Sequence, residues 1–164
     1  MAVVVSNRWD GCGLDTRQVA LLRRAVETTL RLEGVPHSTE VSLTLVDDAT
    51  IHQYNEKYRR VDAPTDVLAF PLLELSPGSA KRDQGMAAVG AGAGGVPPVL
   101  LGDVLVSVER AIEQAREHEV TLDREMAQLV AHGTLHLLGY DHARPAQARA
   151  MRDRERQVLQ ALGL

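Results

Sequence analysis

His132-Gly-Thr-Leu-His136-Leu-Leu-Gly139-Tyr-Asp-His142 holds three of the six histidines in a chain of 164 residues. If the stretch begins as a helix, the four-residue step from His132 to His136 puts both imidazoles on one face, one turn apart. Gly139 stands where a helix commonly ends in the left-handed conformation that glycine adopts at little cost. The chain can therefore reverse there and return His142 toward the same face. Three neutral imidazoles would leave the fourth position of a tetrahedral zinc free for water, as in catalytic sites, whereas a closed structural site would want a fourth side chain, usually cysteine. The only cysteine is Cys12, far away in sequence.

The spacing H-x-x-x-H-x-x-G-x-x-H also occurs in metzincin proteases, which carry a glutamate directly after the first histidine as general base. Here that position is Gly133. Without the carboxylate, a water attacking a peptide bond lacks its usual proton acceptor, so the pattern argues for a metal and against a peptidase.

The helix that carries this motif is read backwards from it. Thr121 is a good cap, and Met126, Leu129 and Val130 lead into His132, so the histidines ride on the chain's most apolar helix. Before it, Glu109 to Glu119 reads as an amphipathic helix. Val99 to Val108 reads as a strand with Leu101, Asp103, Leu105 and Ser107 on one face, where two polar residues among apolar ones suggest contact with the site. After the motif, Pro145 opens a last helix through Met151, Val158 and Leu162. Its arginines 144, 149, 152, 154 and 156 stand against Asp153 and Glu155, a solvated face first and a phosphate-binding patch second.

Toward the N-terminus, Ala2 to Asn7 reads as a strand and Asp10 to Gly13 as a turn. Asp15 or Thr16 caps a helix whose Val19, Leu22, Val26 and Leu30 recur at helical steps up to Gly34. Glu40 to Val46 alternates apolar Val41, Leu43 and Leu45 with Ser42 and Thr44, the period of a strand with one wetter face. Asp47 or Asp48 caps a short helix from Ala49 to about Tyr58, on which His52 is structural or superficial. A loop dense in Tyr, Arg, Asp and Thr follows, in which Pro64 ends any helix before it, and feeds a strand from Val67 to about Leu73; such loops on a rigid scaffold tend to hold binding groups. Residues 76–98 are rich in Gly, Ala and Pro and lack the apolar surface to offset ordering, so a flexible excursion is expected there, with Lys81 and Arg82 able to touch RNA.

The composition fits one domain. At 164 residues, 45% hydrophobic and 24% charged, the chain can bury roughly 70% of its unfolded surface. Aromatic content is only 3%, leaving Leu, Val and Ala to fill the core. One cysteine permits no internal disulfide, and no secretion signal or membrane span is legible, which points to the cytoplasm and to no membrane partner. A net charge of −4 gives no global pull toward nucleic acid, so an RNA partner must be met by a local patch.

Three segments together resemble the YbeY family of bacterial rRNA maturation factors across nearly the whole chain. They are His132-Gly-x-Leu-His136-Leu-x-Gly139-Tyr-Asp-His142, Asn55-x-x-Tyr58-Arg59-x-x-Asp62-x-Pro64-Thr65-Asp66-Val-Leu-x-Phe70-Pro71, and the Leu101-Gly-Asp103 strand. The chain matches the two longer motifs at every position, while the insertion at 76–98 lies outside the family pattern. The resemblance implies a single-strand-specific endoribonuclease acting in 16S rRNA 3′-end maturation and ribosome quality control. It further implies one zinc held by His132, His136 and His142, a functional Arg59, and the ribosome or small-subunit proteins as partners, with no DNA expected. Thr65, Asp103 and Ser107 are candidates to line the pocket, and Asp141 to orient a metal-bound histidine from behind.

The chemistry agrees. Phosphodiester cleavage builds negative charge on phosphoryl oxygens, so the site needs cations more than a protease-style carboxylate. The expected fold is an α+β sandwich: a mixed sheet of about four strands, a parallel crossover joining the first two, the segments 67–73 and 99–108 paired as a hairpin, and helices on one face around a central metal-bearing helix. A zinc peptidase and a non-catalytic ribosome-associated zinc protein are the rival readings.

Overall fold

Alternation in the second strand organises the sheet. β2 (Thr39–Val46) buries Thr39, Val41, Leu43 and Leu45 completely and leaves Glu40, Ser42 and Thr44 half-buried on its other face. The structure, a computed structural model, describes residues 1–11, 14–79 and 98–164. The four strands run β1 (Ala2–Asn7), β2, β4 (Val99–Ser107), β3 (Val67–Pro71) across the sheet. β1 and β4 are parallel to β2, with α1 (Thr16–Leu32) as the crossover between β1 and β2. β3 is antiparallel to β4 and forms an edge. The expected α+β sheet, its crossover and its hairpin pairing are all present. The excursion expected at 76–98 falls mostly outside the described residues.

Helix termini follow the caps read from sequence. Asp15 caps α1 in a reciprocal box with Gln18, Asp47 caps α2 (Asp48–Arg59), and Thr121 caps α4 (Leu122–Leu137). Ser107, expected at the site, instead caps α3 (Val108–Glu117): its Oγ accepts from Arg110 N and donates to Asp48 at 2.8 Å. α5 spans Pro145–Leu162.

Two expectations about faces are corrected. In β4, Leu101 faces the main core with Val104 and Val106, while Leu105 packs on the opposite side with Val46, Ile51 and Leu68. The cause is a bulge: Glu40 pairs with Leu100 but Val41 pairs with Gly102, so Leu101 is an extra residue that shifts the alternation. Gly102 takes φ +147°, and a Cβ there would lie 2.2 Å from the Phe70 carbonyl oxygen, so the bulge needs glycine. Helices also cover both faces. α1, α4 and α5 pack on the main core side, but α2 places Ile51 and Tyr54 on the back of β3 and β4. These two strands carry apolar residues on both surfaces, as strands covered from both sides do.

α4 is the central helix, touching α1, α3, α5, β3 and β4. Gly133 lets it lie close to the sheet, because a Cβ at that position would stand 2.6 Å from Val104 Cγ1 and 3.1 Å from Val67 Cγ2. A glutamate here would have to push the helix away from β4. The residue that makes the peptidase reading chemically poor is thus also required by packing.

Candidate active site

α4 brings His132 and His136 to one face near its C-terminal end, with His136 Nε2 3.1 Å from His132 Nε2. The helix then closes in a Schellman turn: Gly139 N donates to His136 O and Tyr140 N to Leu135 O. Gly139 has φ +90°, and a Cβ there would sit 2.0 Å from the Leu75 carbonyl oxygen, so both backbone conformation and space demand glycine. The reversal returns His142, whose ring centroid lies 5.1 Å from that of His136 and 5.6 Å from that of His132. One nitrogen from each of the three rings lies within 4.8 Å of the others.

Behind the turn, Tyr140 donates to buried Glu33 at 2.9 Å, and Arg154 Nε lies 3.0 Å from the same carboxylate. The Tyr140 hydroxyl titrates above its ordinary value, chiefly because it is buried, so it stays protonated and keeps donating. The histidine-bearing loop is thereby pinned to the end of α1 and to α5.

The donor set fits a zinc ion. Tetrahedral bonds of about 2.0–2.1 Å place ligand nitrogens roughly 3.3 Å apart, close to the His132–His136 spacing. Burial, and next the two neighbouring imidazoles, hold the His136 pKa below its usual value, which favours the neutral ligand form. His132 Nδ1 lies 2.5 Å from Glu155 Oε1, a carboxylate only 7% exposed. That contact makes Nδ1 the protonated nitrogen and leaves the Nε2 lone pair facing His136.

Glu155 is the site residue that sequence reasoning missed, assigning it to a solvated face. It lies four residues after Met151 and three before Val158, so the apolar stripe of α5 contained the signal that it points inward. Asp141, the candidate for this orienting task, lines the cleft but accepts from the backbone N of its neighbour His142.

The histidines open onto a cleft of about 1080 Å³ between α5 and the edge strand β3. Arg59, at the end of α2, stands on the β3 wall, where its Nη2 donates to Ala69 O at 2.7 Å. Asn55 supports that corner, its amide donating to Ala63 O. Thr65 and Asp66 line the same wall, and Asp66 is committed to Val67 N and Gln114. On the far wall the arginine-rich helix divides its cations: Arg152 lines the cleft, Arg154 reaches Glu33, and Arg156 pairs with Asp153. The structure thus gathers His132, His136, His142, Arg59, Thr65 and Asp141 around one cavity and puts Ser107 and Asp103 elsewhere. Asp103 faces the back of the sheet because the bulge changed the phase of β4. Of the remaining histidines, His52 pairs with Asp62 and His118 with Glu125.

Comparison with known proteins bears on this arrangement. The family model described as Endoribonuclease YbeY matches residues 5–163. Curated relatives carrying that name include one from Pelotomaculum thermopropionicum, 43% identical over all of this chain and 99% of its own length. Another, from Roseiflexus sp., is 46% identical over 88% of this chain and 84% of its own. The solution structure of TM1509 from Thermotoga maritima superposes with a TM-score of 0.60 at 24% identity, covering 98% of this chain and 88% of that one, and so shares the fold. With a matched model spanning nearly every residue and relatives aligned over 84% and 99% of their own lengths, the chain belongs to the YbeY endoribonuclease family.

Proposed function

We propose that this chain is a zinc-dependent endoribonuclease that cleaves single-stranded RNA in the cleft between α5 and β3. The observation that carries the reading is the convergence of three imidazoles, one with its tautomer set by Glu155, on a cleft whose opposite wall presents Arg59. His132, His136 and His142 would hold the ion. When bound, zinc supplies a Lewis acid for a phosphoryl oxygen or lowers the pKa of a water toward neutrality.

The remaining work falls to the chain's own groups. Arg59 spends one nitrogen on Ala69 O and keeps its other donors for a phosphate, a planar contact that offsets charge growing on the phosphoryl oxygens. Arg152 adds a second cation across the cleft. Glu155 holds the His132 ring in orientation. The family resemblance supports the finer assignment to 16S rRNA 3′-end maturation and ribosome quality control in the cytoplasm, with one zinc per chain and ribosomal partners. Among the described residues no helix is long and apolar enough to cross a membrane.

The test compares parent, His136→Ala and Arg59→Lys for zinc stoichiometry and for cleavage of single-stranded against duplex RNA, with and without chelator. His136→Ala should lose zinc and cleavage while staying folded, and Arg59→Lys should keep zinc and lose most cleavage. Chelator-insensitive cleavage, or cleavage unchanged in both variants, would overturn the reading. Loss of fold in His136→Ala would favour a structural zinc instead.

A further inference from the structure

We propose that a second cavity, on the face of the sheet opposite the histidines, binds one unpaired nucleobase of the RNA strand whose phosphate is held at Arg59. The inference rests on the ribonuclease reading and extends it to how single strands are chosen.

The cavity has a volume of about 390 Å³, within the range of small-ligand pockets. Its wall is aromatic. Tyr54 and Tyr58 stack with centroids 5.8 Å apart at 26°, and Phe70 meets Tyr58 edge-on at 5.4 Å. The chain has five aromatic residues of the Phe, Trp and Tyr types (one, one and three), and three of them gather here. Tyr58 is 54% exposed, so its ring is not spent on the core. Lys57 Nζ stands 5.1 Å from the Tyr58 ring, and Arg8, exposed on the rim, has no carboxylate partner among the described residues. Exposed rings beside cations form the platform on which successive bases stack in single-strand binders.

Asp103 identifies the part of the nucleotide that enters. A carboxylate on the cavity wall repels phosphate but accepts from the amino groups of cytosine, adenine or guanine, and Thr44 beside it offers a hydroxyl. The base therefore points inward, leaving its phosphate near Arg8 and Lys57.

The two cavities share a wall. β3 is the edge of the sheet, with Ala69 facing the histidine cleft and Phe70 the aromatic cavity. The Arg59 guanidinium carbon lies 5.8 Å from the Phe70 ring centroid while the same side chain lines the histidine cleft. A strand draped over this edge, with one phosphate at Arg59, sends a neighbouring base into the back cavity. A Watson–Crick partner would block that insertion, so the cavity favours unpaired RNA.

The experiment uses the full chain. Binding of a short fluorescein-labelled single-stranded oligoribonucleotide is measured in chelator, and cleavage of the same strand carrying one abasic site at each successive position is measured with zinc. For parent protein, one position at fixed distance from the cut should lose about tenfold or more in rate. Tyr58→Ala should bind about tenfold more weakly and show no dependence on that position, whereas Tyr58→Phe, which keeps the ring, should behave as parent. A flat abasic profile in the parent, or Tyr58→Ala retaining the parental profile, would overturn the proposal while leaving the ribonuclease assignment intact. Failure of the parent itself to bind or cleave RNA would remove both, and would show before any variant is made.

Discussion

Replacing Glu155 with Gln tests the metal centre through the residue that holds the His132 ring from behind. The carboxylate accepts from His132 Nδ1 at 2.5 Å through Oε1, and Gln128 Nε2 lies 3.4 Å from Oε2. Glutamine has nearly the same shape but one acceptor instead of two, so one of the two donors facing it must meet an amide N–H. If its oxygen stays on His132, a charge-assisted bond of about 1.5–3 kcal/mol becomes a neutral one of about 0.5–1.5 kcal/mol. The difference, on the order of 1–1.5 kcal/mol, is close to tenfold in an equilibrium constant. Looser ring orientation adds to that, so zinc affinity should fall roughly 10- to 100-fold. Stability of the metal-free fold should move far less, within about 1 kcal/mol, because the change also removes the desolvation penalty of a buried carboxylate. Chelator competition reads the first quantity and urea unfolding in chelator the second. An affinity within about twofold of parent, with the fold intact, would refute a role for Glu155 in orienting His132. A large stability loss would show instead that the carboxylate is a packing element.

Gly139→Ala should cost at least about 3 kcal/mol, since φ +90° and a Cβ 2.0 Å from the Leu75 carbonyl both oppose a side chain; an unchanged urea midpoint would sink the account of the turn. Tyr140→Phe leaves a Glu33 oxygen, on a side chain only 3% exposed, without its donor, and should lose about 1–3 kcal/mol in the same assay. Asp123 is held below its usual 3.8 first by Gln18 donation and then by Arg17, so its folded pKa is depressed. Its contribution is complete above 3.8 and vanishes as pH falls through the lower folded value. Asp123→Asn should therefore be less stable than parent at neutral pH, and the gap should close in acid, as read from urea midpoints across the acid range. A gap independent of pH would exclude linkage through this carboxylate.

What could be read from the chain alone was whatever depends on neighbours within a turn or two. The step from His132 to His136, the helix end at Gly139 and the return of His142 follow from helical period and from glycine's access to left-handed backbone. The alternation of β2 and the caps Asp15, Asp47 and Thr121 are local in the same sense. The placement of Arg59 in the cleft came by family resemblance, because nothing adjacent in sequence says that the end of α2 reaches the histidines. Glu155 was hidden for a related reason: it meets His132 across 23 residues, and a charged side chain on a charged helix looks solvated until α5 is docked. The faces of β4 turned on a bulge that leaves Leu101 unpaired, and only glycine fits beside it at 102, because the Phe70 carbonyl of the adjacent strand lies 2.2 Å from where a Cβ would be. Such contacts join residues far apart along the chain. Their free energy appears only once the sheet and helices have closed around them, so it leaves no periodic trace in the order of the amino acids.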